Sequence, residues 1–389
     1  MKKRNLILTF LLIIIISLLP VIMFVSWQLK PKKELKIAII DKTALTKDGD
    51  EHRSFNWILN NNKYCKPNRD LFSVSEDYYG FFPKENKKYL IKDLENFDEV
   101  QLKNLADKID MIYMTDLYGI YSKDWYSDNY RGERSQLIYG GMSRKELSLL
   151  NLMKSQKKLI LTEFNTIAPP TSSSVRTQFE EMFGLKWSGW TGRFFENLDT
   201  AINKEIPIWV IQDYKAQHQN SWPFSRSGIV LVNNDGRLEI LDYKTDLKEE
   251  VPYIISAEIN QKRFGIPKKL KYSYWFDVML TKRSNNVVSV YQIFSNARGD
   301  SILQSLNIPN PFPAVIEHYE NDYKFYYFSG DFCDNPVKII LSRFSGITKF
   351  RWMMYPSNDL AERESFFWLY YQPLVSTILK NYYDSLQKK

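Results

Sequence analysis

Cysteine and histidine are scarce in this sequence, which has two cysteines and three histidines among 389 residues. No CxxC pair occurs, so Cys65 and Cys333 cannot supply a structural zinc site. The histidines, His52, His218 and His318, are far apart in the chain and indicate no metal site by their spacing. The sequence therefore predicts neither a metal ion nor a cofactor. The two cysteines could form one long-range disulfide or could be two unpaired buried thiols.

A nucleic-acid-binding signature is also missing. The formal net charge is +8 at pH 7, but much of this excess comes from cations that flank an apolar segment near the N-terminus: Lys2, Lys3, Arg4, Lys30, Lys32, Lys33 and Lys36. No zinc-finger spacing or arginine-rich block occurs elsewhere in the sequence. Attraction to anionic lipid headgroups explains lysines in this position. No nucleic-acid partner is therefore predicted.

The apolar segment covers residues 6–27, which are 22 residues without a charge. As a helix it would be about 33 Å long, enough to cross a hydrocarbon core of about 30 Å. A cleaved signal peptide is the alternative, but its apolar core is shorter and it ends in a small-residue cleavage site. The pattern predicts a cytoplasmic tail (1–5), a transmembrane anchor in contact with lipid (6–27) and a basic linker (28–34). The rest would be the extracytoplasmic domain of a single-pass cell-membrane protein.

Residues 35–185 alternate apolar strands with helical segments. Continuously apolar strands are typical of a parallel sheet that is buried on both faces, and we predict them at residues 35–41, 111–116 and 158–163. A capping box that starts at Ser143 predicts the beginning of one helix, and Gly184 is placed to end another. The predicted fold class is α/β, with a doubly wound, mainly parallel sheet after the N-terminal transmembrane helix.

The remaining sequence is richer in short strands and turns. Residues 186–345 include a hairpin signal at Asp235-Gly236 and are predicted to be a β-rich elaboration that completes the same domain. Residues 346–389 are predicted to form a C-terminal helical segment. The cluster that contains Trp187, Trp190 and Arg193 suits stacking on sugar rings, but also the packing of tryptophans under a loop.

Each of the three predicted strands ends in an acid, namely Asp41, Asp116 or Glu163. Ligands bind outside the carboxyl ends of strands in open parallel sheets, so these acids could share one crevice. The alternative is that they cap the turns or helices that follow. Asn165 and Asp331 follow strands in the same way, and Arg193 comes from the tryptophan cluster. The full set of candidate ligand-binding residues is Asp41, Asp116, Glu163, Asn165, Arg193 and Asp331.

Residues 35–185 resemble the class I glutamine-amidotransferase-like superfamily, which includes noncatalytic ThuA-like domains. The resemblance depends on the order of the elements and on residues 138–143 (IYGGMS) and 159–165 (LILTEFN). Catalytic members place a nucleophilic cysteine on a sharp strand-to-helix turn, with a His-x-Glu pair downstream. The matching turn here is Glu163-Phe164-Asn165, although His318-Tyr319-Glu320 has the spacing of the pair. The resemblance therefore implies the fold, a binding crevice and the loss of glutaminase chemistry.

Two functions stay open at this point. The first is a noncatalytic, membrane-tethered binding or assembly domain of the cell envelope, with a glycan or another envelope component as its ligand. The second is an envelope glycan hydrolase that uses Asp116 and Glu163 as its carboxylate pair.

Overall fold

The computed structural model describes residues 18–128, 130–356 and 358–388. The strands, in chain order, are β1 (Lys33–Glu34), β2 (Ile37–Asp41), β3 (Tyr64–Cys65), β4 (Tyr79–Pro83), β5 (Tyr89–Lys92), β6 (Met111–Met114), β7 (Ile120–Tyr121), β8 (Leu137–Tyr139), β9 (Leu159–Glu163), β10 (Leu185–Phe195), β11 (Gly228–Asn233), β12 (Leu238–Asp242), β13 (Tyr253–Ser256), β14 (Lys269–Lys271), β15 (Trp275–Thr281), β16 (Asn286–Gln292), β17 (Phe312–Tyr319) and β18 (Lys324–Phe328).

The helices begin with α1, which covers residues 18–29. Those that follow are α2 (Asp50–Asn61), α3 (Glu99–Lys108), α4 (Ser122–Tyr126), α5 (Arg144–Ser155), α6 (Ser173–Phe183), α7 (Ile208–Gln217), α8 (Glu258–Phe264), α9 (Ala297–Ser305), α10 (Glu364–Phe366) and α11 (Gln372–Leu386). A π-helical turn (Phe367–Tyr371) joins α10 to α11, and two 3-10 helices cover Ile339–Arg343 and Ile347–Met353.

Ten strands form the main sheet, in the order β14-β13-β16-β17-β18-β9-β6-β2-β4-β5. The neighbours β18, β9, β6, β2 and β4 are parallel to one another. The other pairings are antiparallel. They add β17, β16, β13 and β14 beyond β18 at one edge of the sheet, and β5 beyond β4 at the other. The sheet is therefore mixed, and the prediction of a mainly parallel sheet is wrong: the strands of the second half of the chain join the same sheet by hairpin-like pairings.

Helices cover both faces of the parallel strands. Alternate residues of a strand point to opposite faces, and β6 shows this clearly: Tyr113 packs in the core beneath α2 and α11, whereas Ile112 packs beneath α3, α5 and α6. The sequences of these strands are continuously apolar because each face of the sheet packs against its own hydrophobic core. This arrangement explains why β2, β6 and β9 are recognisable in the sequence.

A second sheet of four antiparallel strands, β12-β11-β10-β15, packs beside the main sheet. The predicted hairpin is present as β11 and β12, with Gly236 in the turn at φ 91°. Only glycine adopts this conformation without strain. An isolated bridge between Phe276 of β15 and Gly330 links this sheet to the end of β18.

Two local helix signals are confirmed. The Ser143 side chain accepts a hydrogen bond from the Glu146 amide, and the Glu146 side chain accepts one from the Ser143 amide, which completes the capping box of α5. Gly184 ends α6 in the left-handed conformation, at φ 66°. Both signals are local in sequence, which is why they could be found without the fold.

The predicted membrane-spanning helix is wrong for the part of the chain that the structure describes, in which no helix is long and apolar enough to cross a membrane. Residues 1–17, with the predicted tail and the start of the predicted span, lie outside the described residues. The rest of the predicted span forms α1, in which Met23 and Trp27 are buried. Other apolar side chains of this helix, such as Val21 and Ile22, are exposed. The predictions of a signal anchor, a single-pass location and an extracytoplasmic domain are corrected too, whereas the lipid contact stays a prediction.

We predict that Trp27→Ala lowers the free energy of unfolding by about 3–5 kcal/mol, as expected for loss of a large buried side chain. The Trp27 indole donates a hydrogen bond to the Asn60 carbonyl at 3.0 Å, and the Lys63 ammonium lies 3.8 Å from the ring centre. Urea unfolding followed by circular dichroism measures the change. Leu29→Ala is the control, since Leu29 is 79% exposed, and an equal effect of the two variants would contradict the docking of α1.

Candidate functional site

Acidic residues follow the carboxyl ends of four neighbouring parallel strands in the middle of the main sheet. Asp41 ends β2 and Glu163 ends β9, while Asp116 and Asp331 follow β6 and β18 within three residues. The register pairs β2 with β6, β6 with β9 and β9 with β18 in parallel, so these carboxyl ends lie side by side. Asn165, two residues after the end of β9, donates a hydrogen bond to Asp116, so the structure brings five of the six candidate residues to these strand ends.

The carboxylate of Asp41 is paired with a histidine. Its Oδ2 lies 2.5 Å from His52 Nδ1, and both side chains are fully buried. The other ring nitrogen of His52 lies 2.7 Å from the Val74 carbonyl oxygen, and Asp41 Oδ1 accepts a hydrogen bond from the Thr43 amide at 2.8 Å. Asp41 therefore fastens the first turn of α2 to the end of β2, which is a structural role.

Asp116 is held by hydrogen bonds on both carboxylate oxygens. Oδ1 accepts from the Tyr118 amide at 2.5 Å and from Thr43 Oγ1 at 3.2 Å, and Oδ2 accepts from Asn165 Nδ2 at 3.1 Å. Burial nevertheless raises the pKa of Asp116 to about 7, and the nearby charge of Asp41 acts in the same direction. Asp116 is therefore fixed in place rather than free to swing toward a ligand.

Glu163 is 1% exposed, and burial raises its pKa well above the usual range. Its Oε1 accepts a hydrogen bond from the Cys333 amide at 3.2 Å, whereas Oε2 has no partner among the described residues. The turn that follows places Asn165 at φ 59°, the left-handed conformation that asparagine tolerates best after glycine. The sharp turn that the resemblance implies is thus present, with Asn165 rather than a cysteine at its tip.

A second group of carboxylates lies around Asp331. Glu51 lies in the first turn of α2, and Asp334 lies in the loop after β18. One carboxylate oxygen from each of Glu51, Asp331 and Asp334 lies within 4.8 Å of the other two. Burial raises the pKa of Asp331 and Glu51 well above the usual range, the charge of Asp334 raises both further, and the charge of Asp331 adds to the increase at Glu51. Arg363 donates a hydrogen bond to Asp334 Oδ2 at 2.7 Å.

We call Glu51, Asp116, Glu163, Asp331 and Asp334 the carboxylate cluster. Electrostatic repulsion connects them, since Asp116 and Glu163 both raise the pKa of Asp331. Glu51 and Asp334 are partly exposed, so solvent reaches the cluster from their side. Sequence patterns did not find these two residues or Arg363, although Asp334 lies in the acidic loop that drew attention to Asp331.

Arg193 lies on β10 of the second sheet and forms an ion pair with Glu205 at 2.7 Å. Its guanidinium stacks on aromatic rings, with 5.0 Å to the Tyr274 ring centre and 5.5 Å to that of Trp275. Among the described residues, Arg193 forms no hydrogen bond or ion pair with the carboxylate cluster, although it shares the Tyr274 ring with Arg363. Arg193 is therefore a neighbour of the cluster rather than a member.

Trp187 and Trp190 are buried, and their indole groups donate hydrogen bonds to main-chain carbonyls, at 3.0 Å to Trp190 and at 3.1 Å to Leu306. Their faces are not available to stack on a sugar. The packing interpretation of this cluster is confirmed.

Neither cysteine forms a disulfide, and both are buried. Burial raises the pKa of the Cys333 thiol well above its usual range, and that of Cys65 as well. Since the thiolate is the nucleophilic form, both are poor nucleophiles.

The histidine of the His-x-Glu segment lies near the opposite ends of the parallel strands. His318 is paired with Phe325 near the start of β18, whereas Glu163 is paired with Phe328 at its end. The His318 ring is bonded to Asp322 Oδ1 at 2.9 Å. His318 therefore cannot act together with residues of the Glu163 turn.

No family model matches this chain, and no curated protein matches it. The solved structures similar to it include ThuA-like proteins. One, from Bacteroides uniformis ATCC 8492, is 10% identical with a TM-score of 0.35 and covers 86% of this chain and 97% of that protein. Another, from Parabacteroides merdae ATCC 43184, is 12% identical with a TM-score of 0.32 and covers 77% of this chain and 79% of that protein.

A β-galactosidase from Bacillus circulans sp. alkalophilus is also similar, at 9% identity and a TM-score of 0.34, over 79% of this chain. This chain spans 30% of the length of that enzyme. All of these likenesses are too distant to assign an activity. The site has to be interpreted from its own geometry.

Asp277, on β15, allows a test of whether burial raises the pKa of the acidic side chains in this region. It accepts hydrogen bonds from Thr191 Oγ1 at 2.7 Å and from the Asn165 amide at 3.4 Å, and burial raises its pKa from 3.8 to about 7. Because the folded state binds this proton more tightly than the unfolded state, the stabilisation is present at acidic pH and is lost as the pH rises through about 7.

We therefore predict that Asp277→Asn, which mimics the protonated acid, is more stabilising at pH 8 than at pH 5, by on the order of 2 kcal/mol. Urea unfolding at the two pH values measures the difference. Asp48→Asn is the control, because the Asp48 side chain is 80% exposed. A pH dependence that is identical in Asp277→Asn and the parent chain would contradict the raised pKa.

Proposed function

We propose that this chain is a noncatalytic ligand-binding domain and that its ligand is positively charged and binds at the carboxylate cluster. The observation that carries the proposal is that buried carboxyl groups outnumber basic side chains at these strand ends. Five carboxyl groups repel one another here, and Arg363 is already bonded to Asp334. A buried carboxylate costs free energy unless an opposite charge or hydrogen-bond donors compensate it, and a cationic ligand would supply that compensation.

The noncatalytic part of the proposal is supported by the turn after β9. It carries Glu163-Phe164-Asn165, and the chain's two cysteines are buried thiols with raised pKa values. An acyl transfer of the glutaminase type needs an exposed, activated nucleophile. The resemblance to noncatalytic ThuA-like domains agrees with this interpretation.

The alternative of a glycan hydrolase is less well supported. A glycosidase needs one protonated and one ionised carboxyl group, both in contact with the sugar. Glu163 is buried with a strongly raised pKa, and both oxygens of Asp116 already accept hydrogen bonds. Burial raises the pKa of both groups, that of Asp116 to about 7, which disfavours the ionised nucleophile or base that this reaction needs.

A thermal-shift screen tests the proposed function. We expect at least one cation, among spermidine, glucosamine, CaCl2, MgCl2 and MnCl2, to raise the melting temperature by about 2–5 °C at saturation. The shift should disappear in Asp331→Asn and persist in Asp48→Asn. If no cation stabilises the chain, or if neutral oligosaccharides do so equally in all variants, the proposal is wrong.

We also predict no release of ammonia from glutamine, since no activated nucleophile is available. The assay is coupled ammonia detection with purified chain over several hours. Ammonia release that is lost in Cys333→Ser or Cys65→Ser would overturn the noncatalytic assignment. Release of reducing sugar from a glycan that is lost in Glu163→Gln would do the same in favour of the hydrolase.

A further inference from the structure

Three carboxylates from two distant parts of the chain converge on one point of the cluster. Glu51 belongs to the first turn of α2, and Asp331 and Asp334 belong to the loop after β18. Each offers one oxygen, and these oxygens lie within 4.8 Å of one another. This spacing allows a single small ion to contact all three at once, because oxygen ligands stand about 2.3–2.6 Å from Ca²⁺ and about 2.0–2.1 Å from Mg²⁺.

Two of these carboxylates lack hydrogen-bond donors. Asp331 is 6% exposed, and its side chain accepts no hydrogen bond from the residues that the structure describes. The Oε2 atom of Glu51 is buried and likewise has no partner within the described structure. Such groups normally receive donors when they are buried. Because one oxygen from each residue lies within 4.8 Å of the others, a cation bound among them would supply the missing contact.

Arg363 does not fill this place. Its Nη1 donates to both the main-chain oxygen and Oδ2 of Asp334, at 2.8 and 2.7 Å, and its guanidinium stacks on Tyr274 at 3.9 Å from the ring centre. Its charge also acts on Asp331, but it donates no hydrogen bond to Asp331 or Glu51 among the described residues. When the three carboxylates are ionised around a bound divalent cation, their three negative charges exceed the single positive charge of Arg363, and the cation balances this excess.

The three ligands are also held in position. The Asn335 amide group donates to Ser54 Oγ at 3.3 Å and to the Phe332 carbonyl at 2.6 Å, which ties the loop to α2. The Phe55 amide donates to Cys333 Sγ at 3.3 Å, and the Asp331 amide to the Trp275 carbonyl at 3.0 Å. A site that is fixed before binding loses little conformational freedom when the ion arrives.

We infer that Glu51, Asp331 and Asp334 bind one hard divalent cation, with water completing its coordination. All three donors are carboxylate oxygens, which suit Ca²⁺, Mg²⁺ or Mn²⁺ better than metals that prefer nitrogen or sulfur. This inference rests on the proposed function, because it names the class of cation that the cluster takes. It differs from the sequence-based expectation of no metal ion, which considered the spacing of cysteines and histidines.

Isothermal titration of the chain with CaCl2, MgCl2 and MnCl2, each alone at pH 7.5, tests the site. We expect one ion per chain, with a dissociation constant of about 10⁻⁵ to 10⁻³ M for at least one of the three. Glu51→Gln and Asp331→Asn should each weaken binding at least tenfold, and Asp48→Asn should leave it unchanged. Circular dichroism shows whether each variant folds, and two independent variants protect the test against the failure of one.

The inference is wrong if none of the three ions binds up to 10 mM, a concentration about tenfold above the weakest expected dissociation constant. It is also wrong if both variants bind as well as the parent chain. Spermidine or glucosamine binding that depends on Asp331, without metal binding, would overturn the metal site and leave the proposed function intact. The absence of binding by metals and amines alike would overturn both.

Discussion

Burial of acidic groups at the end of an apolar sheet is the constraint on which the arrangement of this site depends. The parallel strands β2, β6, β9 and β18 have an apolar core on each face, so a carboxylate at their ends has little water around it. Burial is the largest cause of the raised pKa of Asp116, Glu163, Asp277 and Asp331. The rest of the local structure can be understood as a set of compensations for these groups.

The compensations differ from residue to residue. Asp41 receives His52, and Asp116 receives a main-chain amide, a hydroxyl and an asparagine. Asp334 receives Arg363. Asp331 and one oxygen each of Glu51 and Glu163 receive no donor from the described residues. Of these, Asp331 and Glu51 also lie close enough to Asp334 to share a cation. The same α2 helix carries Glu51 and His52, so one element both stabilises the sheet edge and contributes to the cluster.

Local patterns predicted what depends on local structure. The strands β2, β6 and β9, the capping box at Ser143 and the helix end at Gly184 follow from hydrophobic patterning and from residue preferences within a few positions. The acids after the strands could also be identified, because parallel neighbours end at one edge. Glu51 could not be, because it meets Asp331 across 280 positions of sequence and its helix begins at Gly49 without a side-chain cap.

The two errors in the fold also have physical causes. Hydropathy alone does not show what an apolar helix contacts: in α1, Met23 and Trp27 are buried against the domain, whereas Val21, Ile22 and Leu29 are exposed. The orientation of β13, β16 and β17 depends on pairing partners far along the chain, so a parallel first half gave no information about antiparallel additions at its edge.

The location of a bound metal tests the central claim most directly. Crystals soaked in MnCl2 and measured at the manganese absorption edge would show an anomalous peak where an ion binds. Our account predicts one strong peak between the carboxylates of Glu51, Asp331 and Asp334. Anomalous maps with no peak at this position, or with manganese bound only elsewhere, would contradict it.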